Sequence, residues 1–193
     1  MSLILASNSQ IRRWMLEQAG VDFEVRSPNF DEARAKQEHG GDGESLALRL
    51  ARGKALSVDA EPTDWAIGSD SVVSVDGVPF SKPASRAEAA DHLRKFSRQI
   101  MHLSSAVAVA TDGRVDWSHA ETARLEVRDL SEEFIQSYLD REWPEVGYCV
   151  GVFRMEGLGV NLFERVEGSH FTILGMPLLP LLSALRERGL IQS

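Results

Sequence analysis

An aspartate stands inside an otherwise apolar strand pattern: Asp70, within Trp65-Ala66-Ile67-Gly68-Ser69-Asp70-Ser71-Val72-Val73-Ser74-Val75. The pattern runs past the acid to Asp76-Gly77, a dipeptide that signals a tight hairpin. A carboxylate in such a strand must be paired or bound to a cation, because burying it alone is very costly. Lys82-Pro83, just beyond the hairpin, offers a partner or co-ligand. Taken alone, Asp70 is either a satisfied structural acid or a functional carboxylate. Its company elsewhere in the chain weights the choice. Ala6-Ser7-Asn8-Ser9-Gln10-Ile11-Arg12-Arg13 places hydroxyls and backbone N–H groups at a helix start, a ready anion site. It also puts Arg12 and Arg13 in the first helical turn, where the dipole disfavours cations. A bound phosphate would remove that conflict; the alternative is two solvated arginines behind an ordinary Ser9 cap.

Leu46, Leu50, Lys54 and Val58 share one helical stripe, so a lysine interrupts an apolar face. It either snorkels to water or serves as a preformed counter-charge to phosphate. Phe30-Asp31-Glu32 supplies a carboxylate pair, an acidic turn or part of the set that, with phosphate oxygens, holds Mg²⁺. The glycines of Glu156-Gly157-Leu158-Gly159 would let backbone approach a ligand. The chain has no dinucleotide fingerprint or phosphate-binding Gly-rich loop with Lys-Ser/Thr, and no nucleophile elbow. Acids, basic residues and hydroxyls beside strand ends suit metal-assisted phosphoryl chemistry better than acyl transfer or redox work.

The elements that would position these groups alternate in type. Short strands are expected at Leu3 to Ser7 and Phe23 to Arg26, with a helix from Ser9 to Ala19 between them. Arg34 to Glu44, with Gly40, Gly41 and Gly43, reads as a mobile loop. Helices follow at Glu44 to Val58 and Ser85 to Phe96, flanking the Asp70 strand. Met101 to Ala110 and Val115 to Val127 form a long hairpin, and Ser131 caps a further helix. Strands are expected near Gly147 to Phe153 and Asn161 to Val166, then a last helix opened by Pro177. The pattern is α/β with a mixed sheet, in which ligands favour the crevice at strand ends.

At 193 residues, 43% hydrophobic and 26% charged, the chain suits one domain, spanning 1–193, or two small lobes on a shared sheet. The net charge of −8 argues against a nucleic-acid polymer as ligand. The single cysteine, Cys149, fits a reducing cytoplasm. No signal peptide is apparent, the longest apolar stretch is too short to span a bilayer, and the five histidines show no zinc spacing.

Together the motifs resemble the Maf-like nucleotide pyrophosphatases, over nearly the whole chain. The resemblance rests on Leu3-Ile4-Leu5-Ala6-Ser7-Asn8-Ser9 with Arg12-Arg13, on Asp31-Glu32, and on Leu50-Ala51-Arg52-Gly53-Lys54-Ala55. It continues through Ile67-Gly68-Ser69-Asp70, Lys82-Pro83, Glu156-Gly157-Leu158-Gly159-Val160 and Leu174-Gly175-Met176-Pro177-Leu178. Cys149-Val150-Gly151 and Leu162 to Gly168 look most like the 7-methyl-GTP pyrophosphatase branch. The resemblance implies a long twisted mixed sheet flanked by helices, two lobes around a central cleft, and a divalent metal (Mg, Mn or Co). The implied reaction takes a modified nucleoside triphosphate to its monophosphate and pyrophosphate, a house-cleaning step. Carried over by position, Asp70 would activate water, Ser7, Arg12, Arg13, Lys54 and Lys82 would hold the triphosphate, and Glu32 and Asp70 the metal. Base choice is linked to Ile11, Ser71 and Glu156, and a carboxylate at Glu156 suits a cationic methylated guanine.

The chain departs from the family in ways that touch the base more than the reaction. Gln10 replaces a usual proline, Ile11 an aromatic residue able to stack on a cationic base, and Ser81 a glycine. Ser71 differs from both main branches, and Ser104-Ser105 replaces a common Thr-Gly. Unmodified pyrimidine triphosphates therefore stay open as substrates, as does a non-catalytic nucleotide-binding regulator of cell division. The expected partner is a small nucleotide, not a membrane; a homodimer and a monomer are both open.

Overall fold

The computed structural model describes residues 1–192. In chain order the elements are β1 (Leu3–Ala6), α1 (Gln10–Gln18), β2 (Glu24–Val25), α2 (Glu32–Gln37), α3 (Gly43–Leu56), β3 (Trp65–Val75) and β4 (Val78–Phe80). Next come α4 (Arg86–Phe96), β5 (Ile100–Thr111), β6 (Arg114–Val127) and α5 (Glu132–Glu142). Two 3-10 turns, Glu145–Tyr148 and Leu158–Leu162, precede β7 (Phe163–Glu167), α6 (His170–Leu174) and α7 (Leu178–Glu187). The described strands form a mixed seven-stranded sheet in the order β2-β1-β3-β5-β6-β7, with β4 paired to β3. β1 runs parallel to β2 and β3, while the β3–β4 and β6–β7 pairs are antiparallel. This is the α/β mixed sheet expected from the sequence. Among the described residues no helix is long and apolar enough to cross a membrane.

The chain divides into two compact units. Unit 1 takes Met1–Ser71, Ser104–Glu121 and the C-terminal segment from Ser169; unit 2 takes Val72–Leu103 and Thr122–Gly168. Ile4, Leu5, Met15, Leu16, Leu50 and Ile67 are fully buried in unit 1. Leu93, Phe96, Met101, Leu125, Ile135 and Leu139 are fully buried in unit 2.

Local chemistry explains most boundaries. Asp76-Gly77 and Asp112-Gly113 all take positive φ, between 50° and 76°, the primed-turn geometry that matches strand twist in two-residue hairpins. Asp42 caps α3 by accepting the Ser45 N–H at 2.8 Å, and Ser131 caps α5 by accepting that of Phe134 at 3.1 Å.

Three expectations are corrected. The start of the presumed loop at Arg34 is helical, because Asp31 caps α2 through the Arg34 N–H at 3.0 Å and Arg34 pairs with Glu38 one turn on. Gly147 to Phe153 is not a strand. Pro144 caps the 3-10 turn Glu145–Tyr148 that runs into it, a Cβ on Gly147 would lie 2.8 Å from the Trp143 ring, and Val152 adopts φ 56°. The next strand starts at Phe163 rather than Asn161, since Leu158–Leu162 coils as a 3-10 turn. The sequence reading also missed α6, which Gly175 stops with φ 111°.

Gly68 fixes how closely α3 approaches β3. A Cβ there would fall 2.1 Å from the Ala51 carbonyl oxygen and 2.4 Å from the Ala55 nitrogen, both backbone atoms that cannot swing aside. Gly68→Ala is therefore expected to destabilise the protein by about 1–3 kcal/mol or more through overpacking. Urea unfolding checks this; a loss below about 0.5 kcal/mol would show that the helix can retreat freely.

Candidate active site

The close α3–β3 approach brings Lys54 and Asp70 together. Lys54 lies in the last turn of α3, buried with Leu46 and Leu50 of its stripe, so it does not snorkel to water. Its Nζ is 2.8 Å from Asp70 Oδ2 and 2.9 Å from Glu32 Oε1. One ammonium thus bridges a buried carboxylate from β3 and a half-exposed one from the first turn of α2. Asp70 Oδ1 accepts the Ser71 N–H at 2.7 Å. Burial pushes the Asp70 carboxyl up, but the Lys54 and Arg12 charges, with hydrogen bonds from Lys54 and the Ser71 N–H, outweigh it and hold Asp70 below its ordinary value. Asp70 is therefore an ionised, oriented acceptor at neutral pH.

The β1–α1 junction presents Ser7 and Arg12 differently from Arg13. Ser7 is buried, and its Oγ accepts the Ser9 N–H at 3.2 Å. Ser9 takes the cap position of α1 but makes no side-chain cap, so the ordinary-cap alternative fails. Arg12 turns inward: Nε donates to the Gly175 carbonyl at 3.0 Å and Nη2 to Ser71 Oγ at 3.1 Å. Desolvation pulls its guanidinium below the usual value, while Asp70 and Glu32 pull it back up. The dipole conflict is thus eased by the Gly175 carbonyl at the end of α6, where a cation is favoured. Arg13 instead lies exposed on α1 with its Nε 2.7 Å from Glu17, and the structure does not bring it to the Lys54–Asp70 group. Ile11 is half-buried at the start of α1.

No role in this network is legible in the sequence for Ser105, Thr172, Glu121 or the Gly175 carbonyl. The Gly175 carbonyl also accepts from Ser69 Oγ and Ser71 Oγ, both at 3.2 Å. Ser105, fully buried on β5, lies 2.9 Å from Ser71 Oγ and donates to the Thr172 carbonyl at 2.7 Å. Thr172 Oγ1 in turn donates to Glu121. Leu174-Gly175-Met176-Pro177 stands out as a family-like string, but a backbone acceptor has no side-chain signature to read.

Lys82 and Glu156 belong to unit 2, and both are exposed. Close to Glu156 in sequence, Arg154 pairs with the buried Glu142, its Nη2 and Nε 2.9 and 3.1 Å from Oε2. The Arg154 carbonyl accepts the Gly157 N–H at 3.1 Å, so this ion pair pins the base of the Glu156-Gly157 loop. Burial pushes the Cys149 thiol up to about 11, aided by Glu156, which leaves it too rarely ionised to be a nucleophile at neutral pH.

The carboxylates fit a divalent metal of the Mg²⁺ type. Asp70 Oδ2 is buried and, beyond the ion pair with Lys54, accepts no aligned hydrogen bond, so it keeps lone pairs uncommitted. Among the described residues no group of three or more His, Cys, Asp or Glu forms a protein cage. Two carboxylates completed by phosphate oxygens and water is the usual manner of Mg²⁺ binding.

This combination of a mixed α/β sheet and a Lys–carboxylate–Arg cluster beside a helix start defines a protein built for phosphorylated ligands. The Maf-like protein family matches residues 2–188, and the chain belongs to that family. It is 44% identical over 192 residues to a nucleoside triphosphate pyrophosphatase of Nitrobacter winogradskyi, covering 98% of this chain and 95% of that one. It is 43% identical over 193 residues to a 7-methyl-GTP pyrophosphatase of Rhizobium johnstonii, covering 98% and 97%. The solved structure of the Staphylococcus aureus Ham1 protein shares the fold, with a TM-score of 0.51 at 17% identity over 98% of this chain and all of that one.

Proposed function

We propose that the chain is a nucleoside triphosphate pyrophosphatase that cleaves between the α- and β-phosphorus, with 7-methyl-GTP as the preferred substrate. The observation that carries the reaction is the Lys54 ammonium bridging Asp70 and Glu32, with the Arg12 guanidinium near enough for both acids to raise its pKa. Asp70, ionised and fixed through its Oδ1, orients the attacking water and accepts its proton. Ser7, Arg12 and Lys54 grip the phosphates, a role that the resemblance to the family also implies for Lys82. The two Arg12 contacts engage two of five guanidinium donors, leaving the fork able to hold a phosphate.

Electrostatics supports a metal requirement. Lys54 and Arg12 balance Asp70 and Glu32, so the cluster is close to neutral before a polyanion arrives. Asp70 and Glu32 would hold a divalent cation, which when bound would add positive charge against the phosphoryl oxygens and the pyrophosphate leaving group.

Glu156 carries the base preference, as a carboxylate that favours a cationic methylated guanine. A second reading is the same reaction on pyrimidine triphosphates, favoured by Ile11, which cannot stack on a cationic base as a ring would. A non-catalytic regulator has no need for a buried, ionised acid paired with a lysine. Pyrophosphate release from a nucleotide panel with Mg²⁺, Mn²⁺ or Co²⁺ tests these readings. Selective turnover of 7-methyl-GTP is expected; preference for UTP or dTTP would move the assignment to the second reading, and binding without turnover would favour the regulator.

A further inference from the structure

Arg12 is held by a chain of donors that all point one way. Each hydroxyl has a single proton. Ser105 sends its proton to the Thr172 carbonyl at 2.7 Å, so at its 2.9 Å contact with Ser71 it can only accept. Ser71 in turn spends its own proton on Ser105 or on the Gly175 carbonyl, and accepts from Arg12 Nη2 at 3.1 Å. The Gly175 carbonyl closes the other side, taking Arg12 Nε at 3.0 Å and Ser69 Oγ at 3.2 Å. Arg12, Ser69 and Ser105 are all buried, so an unpaired donor here would be costly. Gly175 has φ 111°, and a Cβ on it would lie 3.3 Å from Ser71 Oγ and 3.7 Å from Arg12 Nη2, so a side chain there would crowd the same junction.

We propose that Ser71 and Ser105, with the Gly175 and Thr172 carbonyls, are a positioning cradle for Arg12, and that Ser71 acts on the phosphate grip through Arg12 rather than on the base. The inference rests on the proposed role of Arg12 as a triphosphate ligand. A Ser71 hydroxyl engaged on both its donor and acceptor sides has little left with which to read a base edge. Hydrogen bonds in such a file polarise one another, so removing its far member, Ser105, frees Ser71 to turn and loosens the guanidinium.

The test uses inorganic tripolyphosphate, which has no base, alongside steady-state kinetics on triphosphates with different bases. Ser71→Ala and Ser105→Ala should each weaken tripolyphosphate binding about two- to tenfold, the range expected for one neutral hydrogen bond. They should raise KM for every triphosphate by the same factor and leave the ranking of bases unchanged. In an Arg12→Lys background, which lacks the fork, Ser105→Ala should have no further effect on tripolyphosphate affinity. Should Ser71→Ala fail to fold, Ser105→Ala, two steps from the guanidinium, still decides the matter. A KM change confined to one base would make Ser71 a base reader and overturn the cradle. Unchanged tripolyphosphate affinity with a lowered melting temperature would reduce the serines to core packing and also overturn it. A wild-type protein that does not bind tripolyphosphate would overturn the phosphate reading beneath it.

Discussion

Asp70→Asn is expected to abolish pyrophosphate release while the protein stays folded. The amide is isosteric, and its oxygen can still accept the Ser71 N–H that Asp70 Oδ1 holds at 2.7 Å. What it lacks is the negative charge that orients water, takes its proton and would help hold a divalent cation. Removal of a positioned general base typically costs about 10²- to 10⁴-fold. Pyrophosphate release measured beside circular dichroism checks the prediction; turnover above about a tenth of wild type with an unchanged melting curve would remove Asp70 from the mechanism.

The second large effect is expected at Lys54. Lys54→Met keeps much of the stem that packs with Leu46 and Leu50 on α3, but withdraws the charge shared by Asp70 and Glu32. Breaking a buried ion pair from one side costs about 3–5 kcal/mol, since the remaining charge is left uncompensated. The double variant Lys54→Met/Asp70→Asn should be more stable than Lys54→Met alone, because it removes that stranded charge. Urea unfolding of the four proteins forms the cycle, and additivity within about 0.5 kcal/mol would contradict the pairing. The sign of the pH dependence follows. The folded Asp70 carboxyl lies below its ordinary value, so its contribution is complete above an unfolded value of about 3.9 and is lost as pH falls through the folded one. Wild type should lose that increment in acid, and Asp70→Asn should not.

Much of this cluster was legible because each member broke a pattern. Asp70 interrupts an apolar strand whose bounds, Trp65–Val75, are those expected, and Lys54 interrupts an apolar helical stripe. An interruption of that kind signals a partner before any coordinates are known. Arg12 was legible only in part. Its conflict with the helix start was visible, but its resolution by the Gly175 carbonyl, 163 residues away, was not, since any residue offers a carbonyl. Arg13, adjacent and identical in type, faces solvent with Glu17, a difference set by helical phase. Ser105 read as one more small strand residue, although Ser71 and Ser105, two of the departures from the family pattern, touch each other in the fold. Gly147 to Phe153 misled for the opposite reason: its β-branched and aromatic residues suggest a strand, and the glycines and Pro144 override them.

The central claim is water attack at the α-phosphorus by a group centred on Asp70. Single turnover in ¹⁸O-labelled water tests it most directly. The account predicts label in the nucleoside monophosphate, with one unlabelled pyrophosphate released for each monophosphate formed. Label in pyrophosphate, or release of orthophosphate, would place the attack at another phosphorus and contradict the assignment.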